Sequence, residues 1–264
     1  MKKYLVIGNP INHSRSPELH NYWLKRNNIS GVYSKEKLEE KDLKNFFLRI
    51  KNKEIHGANV TVPFKKDVIS YLDELSFESQ STQSVNTIYL DKDKIIGHNT
   101  DIEGFELSIQ EIDYNVTKKK ILILGAGGVV PSIIFALTKM KAANIILSNR
   151  TKSKAENLKK LFKNLTLVEW GKIPDFDMVI NATSIGLDKK DQLDLDFSGC
   201  GKDKLFYDVI YNPQETIFLK TGKKLGNRIE NGKRMFIYQA AKSFKIWHGV
   251  SPEIDKKVIE ILNK

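Results

Sequence analysis

The chain has 264 residues, 41% hydrophobic and 28% charged, enough for one large or two modest domains with an apolar core. No apolar run approaches the ~20 residues of a membrane helix, and the one cysteine, Cys200, excludes an internal disulfide or a multi-cysteine metal site and reads as an incidental loop thiol. The net charge of +11 comes from 37 lysines and only six arginines spread over the whole length; that describes a solvated surface with a modest pull on anions, since base readout favours arginine.

Strand and helix patterns alternate, which predicts α/β architecture. The apolar stretch after Met1-Lys2-Lys3 is too short for a signal segment and breaks at Gly8-Asn9-Pro10. Tyr4–Gly8 is therefore read as a buried first strand, and the protein as cytoplasmic. Ser16-Pro17 opens a helix to about Lys25, with Ser16 as N-cap and Pro17 in the first helical position. Val32–Lys37 is predicted as a strand, Asp42–Lys51 as a helix and Ile55–Val62 as a strand. Pro63 then starts a helix over Phe64–Leu75. Val85–Leu90 and Lys94–Gly97 flank Asp91-Lys92-Asp93, a hairpin turn, and helix Ile102–Ile112 follows.

A second βαβ series begins at Lys119. It alternates strands Ile121–Leu124 and Asn144–Ser148 with helices Gly128–Met140 and Lys152–Phe162. Short strands follow at Leu165–Val168, Met178–Asn181 and Leu205–Asp208, with a polar loop over Asp188–Lys204. The C-terminal end reads as two helices, Lys233–Trp247 and Pro252–Leu262. The pattern changes near Asp101–Ile102 without a flexible linker, so the site is expected in a cleft between packed halves.

Two runs carry polar chemistry. Asn59-Val60-Thr61-Val62-Pro63-Phe64-Lys65 ends in a lysine, and Asn99-Thr100-Asp101 ends in an aspartate. A helix N-terminus at Lys65 would disfavour its ammonium and suit it to general acid–base work, with Asp101 opposing that effect while orienting lysine and substrate. Asn59, Thr61, Asn86 and Asn99 offer neutral contacts to ring hydroxyls. Ser14 and Ser16, at a helix N-terminus, suit a carboxylate.

Gly125-Ala126-Gly127-Gly128 lies between a strand and a helix, the context of a dinucleotide cradle; Val130 takes the place of the third small residue. At the end of the next strand stand Asn149-Arg150-Thr151 and then Lys154, with no acid for a ribose hydroxyl pair. Arg150 and Lys154 suit a 2′-phosphate, which favours NADP over NAD. An acid–base site joined to a dinucleotide site points to a dehydrogenase of a small hydroxylated molecule. His13, His20, His56, His98 and His248 show no metal-ligand spacing and are given no catalytic role.

The chain resembles the shikimate dehydrogenase family nearly end to end. The resemblance is carried by Gly8 through Pro17, Asn59 through Lys65, Val85-Asn86-Thr87-Ile88, Asn99-Thr100-Asp101, the glycine loop, Asn149-Arg150-Thr151, Asn181-Ala182-Thr183-Ser184-Ile185-Gly186, Tyr207-Asp208 with Tyr211-Asn212-Pro213, and Gly232 through Met235 to Gln239-Ala240-Ala241. It implies an α/β protein of two domains. Residues 1–101 with 232–264 would form the substrate domain, and 102–231 an inserted Rossmann-like NADP-binding domain. It implies NADPH-dependent reduction of 3-dehydroshikimate to shikimate, towards aromatic amino acids, with Lys65 and Asp101 as the catalytic pair. Ser14, Ser16, Thr61, Asn86, Asp101, Tyr211 and Gln239 match substrate positions. The loop from Gly125 to Val129, Asn149, Arg150, Thr151, Lys154, Thr183, Ser184, Val209, Gly232 and Met235 match cofactor positions. Gln83-Ser84 stands in place of a usual Gly-Ala, and Phe77-Glu78 where many relatives put an acid one place earlier. The expected partners are a small-molecule substrate and NADP, without nucleic acid or membrane, for a monomer or homodimer. The alternatives are a quinate/shikimate dehydrogenase of broader specificity, or a ligand-binding relative without catalysis.

Overall fold

The structure is a computed structural model that describes residues 1–188 and 190–263. Lys189, in the loop expected over Asp188–Lys204, and Lys264, the last residue of the expected substrate domain, lie outside the described residues. The chain forms two compact units, Met1–Gly104 with Ile237–Lys264, and Phe105–Phe236.

In the first unit the apolar run after Lys3 lies within β1 (Lys2–Gly8), which pairs in parallel with β2 (Gly31–Lys37) and β3 (Gly57–Val60). The hairpin of β5 (Thr87–Asp91) and β6 (Lys94–His98) continues the sheet antiparallel from β3, and the short β4 (Glu74–Leu75) forms its edge. Lys92 and Asp93 turn the hairpin at φ 45° and 67°, the left-handed pair a two-residue turn needs.

Side-chain alternation sorts the two faces of this sheet. Leu5, Ile7, Ala58, Val60 and Ile88 join a core with Phe46, Phe47 and Ile50 of α2 (Leu43–Lys51). Tyr4 and Tyr33 belong to an aromatic cluster with His20 and Trp23 of α1 (Ser16–Arg26) and with Phe244 and Trp247 of α8 (Lys233–His248). Gly57 is required here, because a Cβ would meet the Trp247 indole at 2.5 Å.

The helix expected over Phe64–Leu75 does not form. The chain turns over residues 62–66, makes a 3-10 turn at Asp67–Tyr71 and then enters β4. Tertiary pairing overrides the local pattern. The Asp73 and Ser76 N–H groups donate to Ile95 and Gly97 carbonyls of β6, which draws the segment out to the sheet edge. Residues Phe77–Thr82 form the unpredicted α3, capped by Ser76, whose Oγ accepts from the Ser79 N–H. The last helix, α9 (Lys256–Asn263), starts four residues later than expected. Before it, the Glu253 carbonyl accepts from Trp23 Nε1 and Asp255 accepts from Tyr22 Oη, which holds the chain against α1.

The second unit carries a fully parallel sheet of β7 (Lys120–Leu124), β8 (Asn144–Ser148), β9 (Thr166–Val168), β10 (Met178–Asn181), β11 (Leu205–Asp208) and β12 (Arg228–Glu230). Its order, β12-β11-β10-β7-β8-β9, is the doubly wound dinucleotide-binding order, with the switch point between β7 and β10. Helices α5 (Val130–Lys139), α6 (Lys152–Leu161) and α7 (Ile217–Lys224) belong to this unit. Leu122, Leu124, Val179, Phe206 and Phe218 build one of its cores. Neither α7 nor β12 carries a strong sequence pattern; Gly222 lets α7 close on the Phe206 ring, which a Cβ would meet at 2.5 Å. α4 (Asp101–Glu111) and α8 contain the two division points of the chain. Among the described residues no helix is long and apolar enough to cross a membrane.

Candidate active site

Lys65 sits in the turn after β3, and its carbonyl accepts from the Val85 N–H at 2.8 Å. Asp101 opens α4, where the helix dipole favours a negative charge. The helix field therefore acts on Asp101, and the α-helix that the sequence led us to expect after Pro63, with its own field at Lys65, does not form. The ammonium of Lys65 donates to Asp101 Oδ2 at 2.5 Å, with the two residues only 8% and 5% exposed.

Asn86 holds the other carboxylate oxygen, its Nδ2 donating to Asp101 Oδ1 at 2.9 Å. The amide orientation is dictated by the backbone. The Thr100 N–H, which can only donate, meets Asn86 Oδ1 at 2.7 Å. Asn86 Nδ2 also reaches Gln239 Oε1 at 3.3 Å. Behind this layer Thr87, Thr100 and Ser243 are fully buried and mutually hydrogen-bonded, with Ser243 Oγ 2.8 Å from Thr87 Oγ1 and 3.1 Å from Thr100 Oγ1.

Two further residues expected to touch the substrate are also buried and hydrogen-bonded within this network. Asn59 donates to the Asn86 carbonyl, Thr87 Oγ1 and Ser243 Oγ, and accepts from Tyr33 Oη, so strand alternation has aimed its amide into the network. Asn99 donates to Thr82 Oγ1 and the Ser84 carbonyl and accepts from the Asp101 N–H, fixing the start of α4. Both act as braces. Thr61 is half-buried, and its methyl lies so close to Gly8 that a Cβ there would meet it at 2.5 Å.

Ser16 is not the N-cap of α1; Arg15 is, without a side-chain bond. Ser14 Oγ accepts from the Ser16 N–H at 3.3 Å, and its hydroxyl donates to Ser16 Oγ at 3.2 Å. The Ser16 hydroxyl is thus free of capping duty.

In the second unit, Gly125 follows β7 at φ +105°, and a Cβ there would meet the Ala182 carbonyl oxygen and the Thr183 methyl at 2.9 Å. The fold itself demands this glycine. Gly127 differs: its nearest neighbour would be the Ala182 carbonyl oxygen at 3.7 Å, and it is exposed ahead of α5, whose N-cap Val129 makes no side-chain bond. Bare backbone at an uncapped helix N-terminus fits a pyrophosphate. Val130 is fully buried. At the end of β8, Asn149 Nδ2 donates to the Thr151 carbonyl at 2.7 Å, while Arg150 and Lys154 are exposed without ion-pair partners among the described residues.

The loop after β10 is held from below. Asn181 Oδ1 accepts from the Thr183 N–H and hydroxyl, so its Nδ2 faces Asp208 Oδ1 at 3.1 Å. Asp208 also accepts from Thr216 Oγ1 at 2.6 Å and from the Ile210 N–H at 3.0 Å. Burial pushes this carboxyl up to about 6. Gly232 presses on Val209, whose carbonyl oxygen a Cβ would meet at 2.1 Å. Tyr211 stacks on Phe236 at 4.5 Å, Met235 is buried, and Ser184 is exposed.

Comparison with known proteins decides the family. The shikimate dehydrogenase substrate-binding domain profile matches residues 6–88, the shikimate/quinate 5-dehydrogenase profile 106–188 and the shikimate 5′-dehydrogenase C-terminal profile 232–256. A curated shikimate dehydrogenase (NADP(+)) from Pelagibacter ubique is 55% identical over 99% of both chains. The chain belongs to the shikimate dehydrogenase family. A crystal structure of a shikimate dehydrogenase in complex with NADP+ aligns at TM-score 0.88 with 35% identity, over all of this chain and 93% of the other. The Thermus thermophilus shikimate 5-dehydrogenase in complex with NADP(H) and shikimate aligns at 0.90 with 28% identity, over all of this chain and 98% of the other.

Within the shikimate dehydrogenase frame, Gln83 is informative. It ends α3 at φ 48°, a left-handed position that glycine adopts without strain. Sequence reasoning missed Tyr33, Thr216 and Ser243, and gave Thr87, Thr100, Asn181 and Asp208 no role. Ser243 was within reach, since it lies four residues after Gln239 on the same helix face.

Proposed function

We propose that Lys65 and Asp101 are the acid–base pair with which this protein catalyses the NADP-dependent interconversion of 3-dehydroshikimate and shikimate. The observation that carries this reading is the buried Lys65–Asp101 contact, oriented by Asn86. In reduction, the Lys65 ammonium gives a proton to the alkoxide oxygen that develops at the ring ketone. In oxidation, neutral Lys65 takes it back. Asp101 orients Lys65 and accepts from a neighbouring ring hydroxyl. Ser14 and Ser16 take the carboxylate; Thr61, Asn86 and Gln239 take the remaining polar groups, and Tyr211 is the further substrate position that the family resemblance implies.

Gly125 to Val129 would hold the pyrophosphate, and Asn149, Arg150, Thr151 and Lys154 the adenosine end with its 2′-phosphate. Thr183, Ser184, Val209, Gly232 and Met235 would line the nicotinamide. The chemistry that NADP(H) supplies when bound is hydride transfer. The first unit is the substrate domain and the second the NADP domain, in a cytoplasmic monomer or homodimer acting towards aromatic amino acids.

Nicotinamide absorbance tests the reading with shikimate and quinate, each with NADP+ and NAD+. Rapid reduction of NADP+ by shikimate alone is expected. Comparable rates with quinate or NAD+ would move the protein to the broader-specificity activity, and no reaction in any combination would overturn the assignment.

A further inference from the structure

We propose that Asp208 is a positioning residue for the nicotinamide end of the cofactor, its carboxylate fixing both the loop after β10 and the loop after β11. The proposal rests on the assignment of Thr183, Ser184 and Val209 to the nicotinamide given above. Asn181 ends β10, Asp208 ends β11, and the two residues are partners in the parallel register. In a doubly wound sheet, ligands bind just beyond these strand ends. Both side chains are fully buried, and no cation pairs with Asp208 among the described residues. Its oxygens are met by neutral donors from three stretches of chain. Asn181 Nδ2 at 3.1 Å and the Ile210 N–H at 3.0 Å donate to Oδ1, and Thr216 Oγ1 at 2.6 Å donates to Oδ2.

The direction of each bond follows from proton counting. Burial pushes the Asp208 carboxyl up to about 6, and above that pH both oxygens only accept. The Thr183 N–H fixes Asn181 Oδ1 as an acceptor at 3.1 Å. The Asn181 NH2 group then gives one proton to the Ile185 carbonyl at 3.1 Å and the other to Asp208. Thr183 donates its hydroxyl proton to the same Asn181 oxygen at 2.7 Å and accepts from the Ile185 N–H at 3.0 Å. Asp208 therefore sets the Asn181 amide, and the amide sets Thr183. On the other side, the bond from the Ile210 N–H holds the chain directly after Val209, and the Val209 N–H donates to the Asn181 carbonyl at 3.0 Å. Thr216 caps α7 with the same hydroxyl, accepting from the Leu219 N–H at 3.3 Å while its proton goes to Asp208. Removing the carboxylate leaves an Asn181 proton, the Ile210 N–H and the Thr216 hydroxyl without their acceptor and frees both loops.

The test compares Asp208→Ala and Asp208→Asn by calorimetric binding of NADPH and of adenosine 2′,5′-bisphosphate, a fragment without the nicotinamide, and by steady-state kinetics, all at mildly alkaline pH. Asp208→Ala is expected to weaken NADPH binding about 10- to 100-fold, with a matching rise in KM for NADP+, and to leave fragment binding within about 3-fold of wild type. Asparagine keeps an acceptor towards Asn181 and Ile210 and turns an NH2 group to the Thr216 oxygen, so Asp208→Asn should bind NADPH within about 3-fold of wild type. A purely structural Asp208 would lower the melting temperature and leave NADPH binding unchanged, or weaken NADPH and the fragment alike; either result overturns the proposal. Should Asp208→Ala not fold, Thr216→Val, which removes the bond to Oδ2, replaces it. A loss of NADPH binding of about 3- to 10-fold is then expected, and unchanged binding overturns the proposal. Wild-type protein that binds NADPH but does not oxidise shikimate would overturn the proposed function, and the binding comparison would still decide the role of Asp208.

Discussion

Around Lys65 and Asp101 the polar groups are buried and already hydrogen-bonded to one another, whereas Arg150 and Lys154 stand exposed at the rim of the second unit. The first region is assembled by folding. In the second, we propose, a cofactor phosphate meets these cations. A preorganised donor set needs no reorganisation when charge develops on the substrate, which is where electrostatic catalysis gains most. An exposed cation sets cofactor preference with little consequence for the fold. Substitutions in the first region should therefore move stability and turnover together, and those in the second should move cofactor affinity alone.

The largest expected effect is that of Asp101→Ala, which leaves the buried Lys65 ammonium without its counter-charge. Denaturant unfolding should show a loss of about 3–5 kcal/mol; a value within about 0.5 kcal/mol of wild type, the range of an ordinary surface substitution, would contradict the picture of a buried pair.

Asp208→Asn probes the network beneath the cofactor loop. Burial raises the folded-state carboxyl from 3.8 to about 6, so the folded form binds the proton more tightly than the unfolded chain. Its stabilising contribution is fullest below pH 3.8 and is lost as the pH rises through about 6. Two pH units correspond to roughly 3 kcal/mol, so wild type should lose about that much relative to Asp208→Asn between pH 4 and pH 7. Parallel stability curves would show that Asp208 does not titrate in this range.

Arg150→Asp should weaken NADP(H) about 10- to 100-fold, the worth of one or two charge-assisted hydrogen bonds, and NAD(H) far less. Equal weakening of both would remove Arg150 from 2′-phosphate recognition. The smallest effect is expected from Gln83→Gly, which relieves the left-handed strain and should raise stability by up to about 1 kcal/mol. A lower melting temperature would show that the Gln83 side-chain bond to the Gln80 carbonyl outweighs that strain.

Much of the fold was legible in the sequence because its signals are local. The glycine loop between an apolar strand and a helix, the Asp91-Lys92-Asp93 turn and the strand β10 all follow from residues within a few positions of one another. The segment after Pro63 was misread because backbone partners on β6, some twenty residues onward, decide its path. At the site, the sequence pointed to Lys65, Asp101 and Asn86 but not to the direction in which Asn59 and Asn99 turn. Polar side chains crowded at a strand end look alike until the face of the strand is known. Tyr33 carried even less signal, being one tyrosine in a short strand whose partners lie on α1 and β3.

The central claim is that Lys65, held by Asp101, moves the proton. Steady-state kinetics of Lys65→Ala with shikimate and NADP+ test it most directly. The expected result is a fall in kcat of roughly 10² to 10⁴ with a much smaller change in shikimate KM. Near-normal kcat, or a loss confined to KM, would contradict it.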